Sequence, residues 1–498
     1  MPWPTLIAFI AYLVILMAIG LFFYSKSRNL EDYLLGGRGM GAWVTALSAQ
    51  ASDMSGWLLM GLPGAIYVAG LSDSWIAIGL FIGTVLNWWF VSGRLRIYTK
   101  KTNAITLPSF FEERFSDPTG LLRIVSACVI LFFFTIYASS GLVAAGRLFE
   151  STFNVSFSTA VLTGGIIIIL YTFLGGYLAV CWTDLFQGLL MILAIVIVPI
   201  VAFYRIGGTE TIVAALDARD IARGFMPEGT DLPLVAILSA MAWGLGYFGQ
   251  PHILTRFMGV QSLAKLGKSR IIAIVWVAIS LSGAVVIGMI GIGMFEALDV
   301  SQKEHEKVFI YMIRDMTGPW LGGVMLAAIL SAIMSTIDSQ LLVSSSALTE
   351  DFYRKVLRRK ATEREIMIIG RTCVIVISVV ALFMAMDPRD SILGIVAYAW
   401  GGFGAAFGPL ILFALFSKRT TWKSALSGMI AGTLALVLWK HGPWGGMLYE
   451  IVPGFLVNVV TILTVDFFYP QTDSKILAQY EECARINATS LPETQNPA

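Results

Sequence analysis

Charge is what this 498-residue sequence has least of: Asp, Glu, Lys and Arg together make up 13% of it. A soluble chain carries about 25%. Hydrophobic residues reach 57% and the mean hydropathy is +0.78, so water is not the solvent of most of this chain. The net charge is +2 and no basic block occurs, which excludes a nucleic-acid binder. Cysteine is scarce. Cys128, Cys181 and Cys373 fall in or beside apolar spans, Cys483 falls near the end, and the set reads as small buried hydrophobes, not as a disulfide framework. His252, His305 and His441 lie far apart, with no HExxH and no CxxC. Ser55 and Ser335 therefore have no histidine base at membrane depth, and an enzyme is disfavoured. What remains is an all-α integral membrane protein.

Thirteen apolar spans can be counted, near 4–24, 40–68, 72–97, 120–150, 157–175, 178–204, 231–255, 270–296, 319–349, 365–386, 391–416, 421–439 and 447–469. The first lacks a basic leader and is long enough to cross a bilayer, so it reads as a span and not as a signal peptide. Lys26 and Arg28 follow it, which predicts the N-terminus outside. The loop 94–123 carries Arg94, Arg96, Lys100, Lys101, Arg114 and Arg123. The loop 350–371 carries Arg354, Lys355, Arg358, Arg359, Lys360, Arg364 and Arg371. Both fall inside on this count, and the C-terminus with them. Residues 1–470 read as the transmembrane domain and 471–498 as a solvated cytoplasmic tail. On this topology the Asn487-Ala488-Thr489 sequon faces the cytoplasm. Val300 to Asp315 is charged and predicts a short surface helix. Glu350 and Asp351 end span nine and are expected in solvent. Gly175-Gly176 leaves almost no loop between spans five and six, which predicts adjacent antiparallel helices.

One stretch breaks the apolar pattern. Ser48-Ala49-Gln50-Ala51-Ser52-Asp53-Met54-Ser55-Gly56 sits inside span two. A carboxylate at mid-membrane costs about 3 kcal/mol. Backbone at that depth must satisfy itself, so a helix broken there marks a site. Span seven holds Gly244, Gly246, Gly249 and Pro251, which will not keep an unbroken helix. The two interrupted spans stand five apart, each opening a run of five, over 40–204 and 231–416. An odd repeat inverts the second unit, the pattern of a secondary transporter with its site at the midplane.

Span nine supplies a polar face. Ala332, Ser335 and Ser339 recur at helical spacing, Asp338 joins them, and Thr336 lies at the edge. One hydroxyl in a membrane helix usually bonds its own backbone, but this is a cluster with a carboxylate. Ser335 and Thr336 offer two hard oxygens to an alkali cation, and unwound carbonyls of Ala51 and Met54 offer others. Asp184, near a helix end, reads equally as a snorkelling interfacial carboxylate or as a functional one. Trp243 and Tyr247 flank the second break and could wall a small apolar ring. Tyr137 and Ser140 lie near mid-membrane in span four, and Gln250 can hydrogen-bond a carboxylate or an amine.

These motifs resemble the sodium/solute symporter family, and in particular its bacterial sodium/proline members. The likeness is carried by Ala51-Ser52-Asp53-Met54-Ser55-Gly56-Trp57-Leu58-Leu59-Met60-Gly61, by Trp182-Thr183-Asp184, by Trp243 to His252, by Met334-Ser335-Thr336, and by Tyr398-Ala399-Trp400 with Gly404 to Pro409. It runs from about residue 5 to 470. The resemblance implies thirteen transmembrane helices with a five-plus-five inverted repeat of the leucine-transporter type. It implies a sodium site of Ala51, Met54, Ala332, Ser335 and Thr336, with Asp53, Ser55 and Gly56 coupling ion to substrate. It implies an L-proline pocket lined by Tyr137, Trp243, Tyr247, Gln250 and Pro251. Asp184, Asp338 and Ser339 match the neighbourhood where some relatives hold a second cation.

The expectation is sodium-coupled uptake of L-proline by alternating access across a bacterial plasma membrane. Two alternatives stay open: proton coupling through Asp53 or Asp338, and sodium symport of another small solute. A channel suits paired helix breaks and an aromatic pocket less well than an occluding site does.

Overall fold

The computed structural model describes residues 3–24, 30–174, 176–227, 231–358, 360–388 and 390–486. Lys26, Arg28, Gly175, Arg359 and the sequon at Asn487 lie outside the described residues.

The chain opens with α1 (Trp3–Tyr24) and a short α2 (Leu30–Leu35). The first interrupted span is α3 (Ala42–Ala51) and α4 (Leu62–Ala69), with a wide turn at Trp57–Gly61 leading into α4. Then come α5 (Ser74–Leu86), α6 (Ser92–Lys101), α7 (Leu107–Phe115), α8 (Leu121–Phe153), α9 (Phe157–Leu174), α10 (Tyr177–Arg205) and α11 (Thr209–Ala218). The second interrupted span is α12 (Pro233–Met241), a 3-10 stretch Ala242–Gly249, and α13 (Pro251–Gly259). After it run α14 (Leu263–Met294), α15 (Val308–Met316), α16 (Pro319–Ser346), α17 (Glu363–Ala385), α18 (Ile392–Phe416), α19 (Trp422–His441), α20 (Ile451–Phe468) and α21 (Ser474–Arg485). Among the described residues, ten helical segments are long and apolar enough to cross a membrane by length and composition. Both breaks fall where the sequence places them. The two interrupted spans also meet at their ends: Met40 N–H donates to Gly259 O (3.2 Å) and Gln261 N–H to Met40 O (3.0 Å).

α16 is the axis of the packing. It lies against α1, α8, α10 and α17, and its residues from Met325 to Ser346 are all buried. That explains how a helix with so many hydroxyls is kept in a membrane protein: its polar face meets protein and not lipid.

Several expectations are corrected. Glu350 and Asp351 are buried, not solvated. Arg123 reaches both, at 3.4 Å and 2.6 Å, as well as Glu112 (3.1 Å), and Thr106 Oγ1 donates to Asp351 (2.8 Å). A carboxylate this deep persists because a guanidinium is buried with it. Other basic residues read as inside-facing loop charge are structural too. Arg114 donates to Ala414 O (2.7 Å) and Ser417 O (2.9 Å), and Arg94 to Leu415 O (3.0 Å), covering the carbonyl end of α18. The helix at Val308–Met316 forms, but Val308, Phe309, Ile310, Met312 and Ile313 are buried, so it is packed and not a surface helix. The tail is not all solvated: α21 buries Ile476 and Cys483, Tyr480 stacks on the Arg114 guanidinium, and Lys101 pairs with Glu482. Cys128 is exposed, unlike the other three cysteines. Finally, α9 packs along α8 and α17, whereas α10 packs along α3, α14 and α16, so spans five and six are not side by side.

Candidate functional site

The first break releases two carbonyls. In a continuous helix Ser55 N–H would bond Ala51 O; here it donates to Asp53 O (3.0 Å). Leu58 N–H would bond Met54 O; it donates to Ser55 O instead (3.0 Å). α16 answers the first of these. Ser335 Oγ donates to Ala51 O at 2.7 Å and Thr336 Oγ1 at 3.3 Å, and both also reach Ala332 O at 3.2 Å. Four uncharged hard oxygens, from Ala51, Ala332, Ser335 and Thr336, thus share one buried spot between α3 and α16. This donor set suits an alkali cation, which takes several hard oxygens and tolerates neutral ones. Met54 is buried in the same break, its carbonyl freed from helix bonding.

Asp53 ties the breaks together. Tyr247 OH donates to Asp53 Oδ2 (2.6 Å), Tyr137 OH to Asp53 O (3.3 Å), and Trp57 Nε1 to the same carbonyl (3.0 Å). Asp53 Oδ1 is buried with no protein partner. Asp53 therefore faces spans four and seven and not the hydroxyl pair. Ser55 is buried in the turn, where its Oγ accepts from Trp57 N–H (3.4 Å). Gly56 admits α8: a Cβ there would stand 2.6 Å from Ala144 Cβ.

The carboxylates of the expected second cation site divide. Asp184 is fully buried, not interfacial. Its Oδ2 accepts from Ser48 Oγ (2.7 Å) and Arg256 Nη2 (3.2 Å). Arg256 also donates to Ser48 Oγ (3.0 Å), to His252 O (3.1 Å) and to Ser339 Oγ. The cation facing Asp184 and Ser339 is a guanidinium of the protein. Asp338 is separate: Thr172 Oγ1 on α9 donates to its Oδ1, and Oδ2 is buried without a partner. The polar face of α16 is therefore real but wide, and it meets α3, α9 and α13 at different points.

The aromatic residues gather. Trp243 stands 6.5 Å, centroid to centroid, from both Trp57 and Trp400, and 5.4 Å from Tyr449. Tyr247 meets Trp400 edge to face at 5.0 Å. Gln250 Nε2 donates to Gly246 O (3.2 Å) and Trp400 O (3.3 Å), while its Oε1 is buried and unpartnered. Pro251 opens α13, where the missing N–H costs nothing. Tyr137 is buried on α8, 6.3 Å from the His252 ring.

Arg256, Ser48, Thr172 and Trp400 were not singled out from the sequence as site residues. Arg256 had a signal. A membrane-level Asp184 needs a base, and Arg256 sits at the edge of an interrupted span. Counting it as the first residue of a loop hid it.

A profile of the Sodium:solute symporter family matches residues 33–432. The sodium/proline symporter of Escherichia coli K12 is 48% identical over 465 residues, 92% of this chain and 92% of that protein. The high-affinity proline transporter PutP of Bacillus subtilis 168 is 45% identical over 470 residues, 94% of this chain and 98% of that protein. The substrate-bound, outward-open structure of a Na+-coupled sialic acid symporter superposes with a TM-score of 0.77 at 19% identity, over 94% of this chain and 99% of that one. The helical architecture, the profile over most of the chain and the identity to these relatives agree: this multi-pass membrane protein belongs to the sodium:solute symporter family.

Proposed function

We propose that this protein carries L-proline inward together with sodium, by alternating access. The observation that carries the reading is the oxygen cluster at Ala51, Ala332, Ser335 and Thr336, joined through a two-residue step to Asp53 and through Asp53 to Tyr247. Sodium bound there exchanges the hydroxyl-to-carbonyl bonds for cation contacts, with Met54 O as a further ligand. That fixes the backbone through Asp53, Ser55 and Gly56, and so sets where Tyr247 stands. Proline fits the aromatic enclosure of Tyr137, Trp243, Tyr247, Gln250 and Pro251. Its charged amine finds two buried acceptors with no protein partner, Asp53 Oδ1 and Gln250 Oε1. Relatives 44–48% identical are named for proline, those of Escherichia coli and Haemophilus influenzae for sodium as well, which favours proline over other small solutes.

Coupling here is a difference in affinity: sodium must bind the proline-competent arrangement better than the other. Each charge moved inward gains about 2.3 kcal/mol per 100 mV of inside-negative potential. The matching positions of the two breaks favour thirteen spans with a five-plus-five inverted repeat of the leucine-transporter type, N-terminus outside and C-terminus cytoplasmic, in a bacterial plasma membrane. Arg256 neutralises Asp184 and engages Ser339, so a second cation or proton would sit at Asp338, where Oδ2 is free.

The test is uptake of labelled proline into proteoliposomes under an inward sodium gradient. Accumulation that needs sodium and collapses with an ionophore is expected. Equal uptake with potassium in place of sodium overturns the reading, and uptake that follows a proton gradient without sodium assigns the coupling to a proton.

A further inference from the structure

The stretch Ala242–Gly249 is an eight-residue 3-10 helix, held only by i→i+3 bonds of poorer geometry, and runs this long are uncommon without outside support. Contacts from another helix supply that support. One residue of α18 touches it at three levels. Trp400 Nε1 donates to Trp243 O at 2.7 Å, at the start of the stretch. Trp400 O accepts from Gln250 Nε2 at 3.3 Å, at its end. Between these, the Trp400 ring meets the Tyr247 ring edge to face at 5.0 Å. The fit is tight: a Cβ on Gly246 would stand 1.9 Å from Trp400 Nε1, so only glycine lets the indole lie against this backbone. Trp400 is buried, and the one polar atom of its side chain has its partner inside the stretch.

We infer that Trp400 is the positioning residue for substrate recognition: it holds Trp243, Tyr247 and Gln250 in register from one side, and so sets the size of ring the pocket accepts. The inference rests on the proline reading for its substrate and on geometry alone for its mechanism. Trp400 itself touches Tyr247, whose hydroxyl reaches Asp53, so loosening it reaches the substrate contacts before the sodium oxygens. The consequence is a split. Substrate affinity and ring-size discrimination depend on Trp400, whereas the sodium cluster at Ser335 does not contact it.

The variant Trp400→Phe keeps a ring and removes the N–H. Losing one hydrogen bond of this kind raises the proline KM about tenfold, with maximal rate and sodium half-saturation changed less than about twofold. Competition by the four-membered azetidine-2-carboxylate and the six-membered pipecolate should rise relative to proline. Hydrogen–deuterium exchange of residues 242–250 in the purified, ligand-free full-length protein should accelerate several-fold against wild type, while α16 stays unchanged. A merely structural tryptophan would instead lower maximal rate and yield together and leave the ring-size ratio as it was; that outcome, or unchanged exchange at 242–250, overturns the inference. If wild type itself fails to take up proline, the substrate reading falls on that arm alone. The exchange experiment still decides whether Trp400 positions the stretch.

Discussion

Tyr247 and Asp53 lie 194 positions apart in the chain, yet the tyrosine hydroxyl donates to Asp53 Oδ2 at 2.6 Å. This bond joins the two interrupted spans at their breaks. It places the carboxylate two residues along the chain from the released Ala51 carbonyl and in direct contact with the aromatic enclosure. Removing the hydroxyl with Tyr247→Phe leaves a buried carboxylate oxygen with one partner fewer. A bond to a charged group is worth about 1.5–3 kcal/mol, so the proline KM should rise tenfold or more. The half-saturating sodium concentration should rise with it. Uptake kinetics in proteoliposomes check both, and a loss confined to maximal rate would separate Tyr247 from coupling.

Ser335 and Thr336 are not equal in this arrangement. Ser335 Oγ stands 2.7 Å from Ala51 O and Thr336 Oγ1 stands 3.3 Å from it. Ser335→Ala should therefore raise the sodium half-saturation more than Thr336→Ala does, by about tenfold against a few-fold on the scale of a lost polar contact. Sodium titrations at saturating proline measure this. Equal and small effects would move the cation away from α16.

Much of this was legible from residue pattern. Both breaks announced themselves because Asp53 is costly at membrane depth and because glycine and proline cluster around Gly249. The pairing of Ser335 with Ala51 followed from the need for hard oxygens. Other features were hidden for a physical reason. Arg256, Arg123 and Arg114 are basic residues near span ends, where solvated loop charge is the usual reading, and only tertiary contacts bury them. Asp351 looked solvated for the same reason, since its partner Arg123 is 228 residues away. Trp400 lay in a motif that carried the family resemblance, but nothing there marked it as a site residue. Its part depends on a glycine of another span lying beneath its ring, which no local periodicity records. Ile476 and Cys483 sit in a helix too polar to stand out in a hydropathy scan, so the docking of α21 was invisible.

Arg256 and Asp184 form an ion pair in which both side chains are almost wholly shielded from solvent. Breaking such a pair from one side costs about 3–5 kcal/mol, because the remaining charge is stranded. Arg256→Gln should therefore lower the melting temperature in detergent and the yield of folded protein. Pairing it with Asp184→Asn should recover most of the loss, since neither charge then remains. If the double variant melts no higher than the single one, Arg256 acts through Ser48, Ser339 and the α13 backbone and not through charge.

His305 gives a pH prediction of definite sign. It lies in the turn Glu304–Lys307 between α14 and α15, outside the spanning segments, and its backbone carbonyl approaches Gly64 of α4 so closely that a Cβ there would stand 2.9 Å away. The next residue, Glu306, accepts from the first amide of α18, Ile392 N–H (2.7 Å), and pairs with Arg147. Burial, and then the charges of Arg147 and Lys303, push the imidazole down to about 4, with Glu304 opposing. A free histidine titrates near pH 6.5. The neutral form is thus favoured in the fold, so its contribution is complete above about pH 6.5 and is lost progressively as the pH falls toward 4. Between those values the unfolded chain binds a proton that the folded one resists. Hydrogen exchange at 303–310, corrected for the intrinsic pH dependence, should speed up below pH 6 while α16 stays protected. His305→Gln should remove that acceleration. Acid sensitivity that survives the substitution would assign it to Glu304, the carboxylate of the same turn that pairs with Lys307.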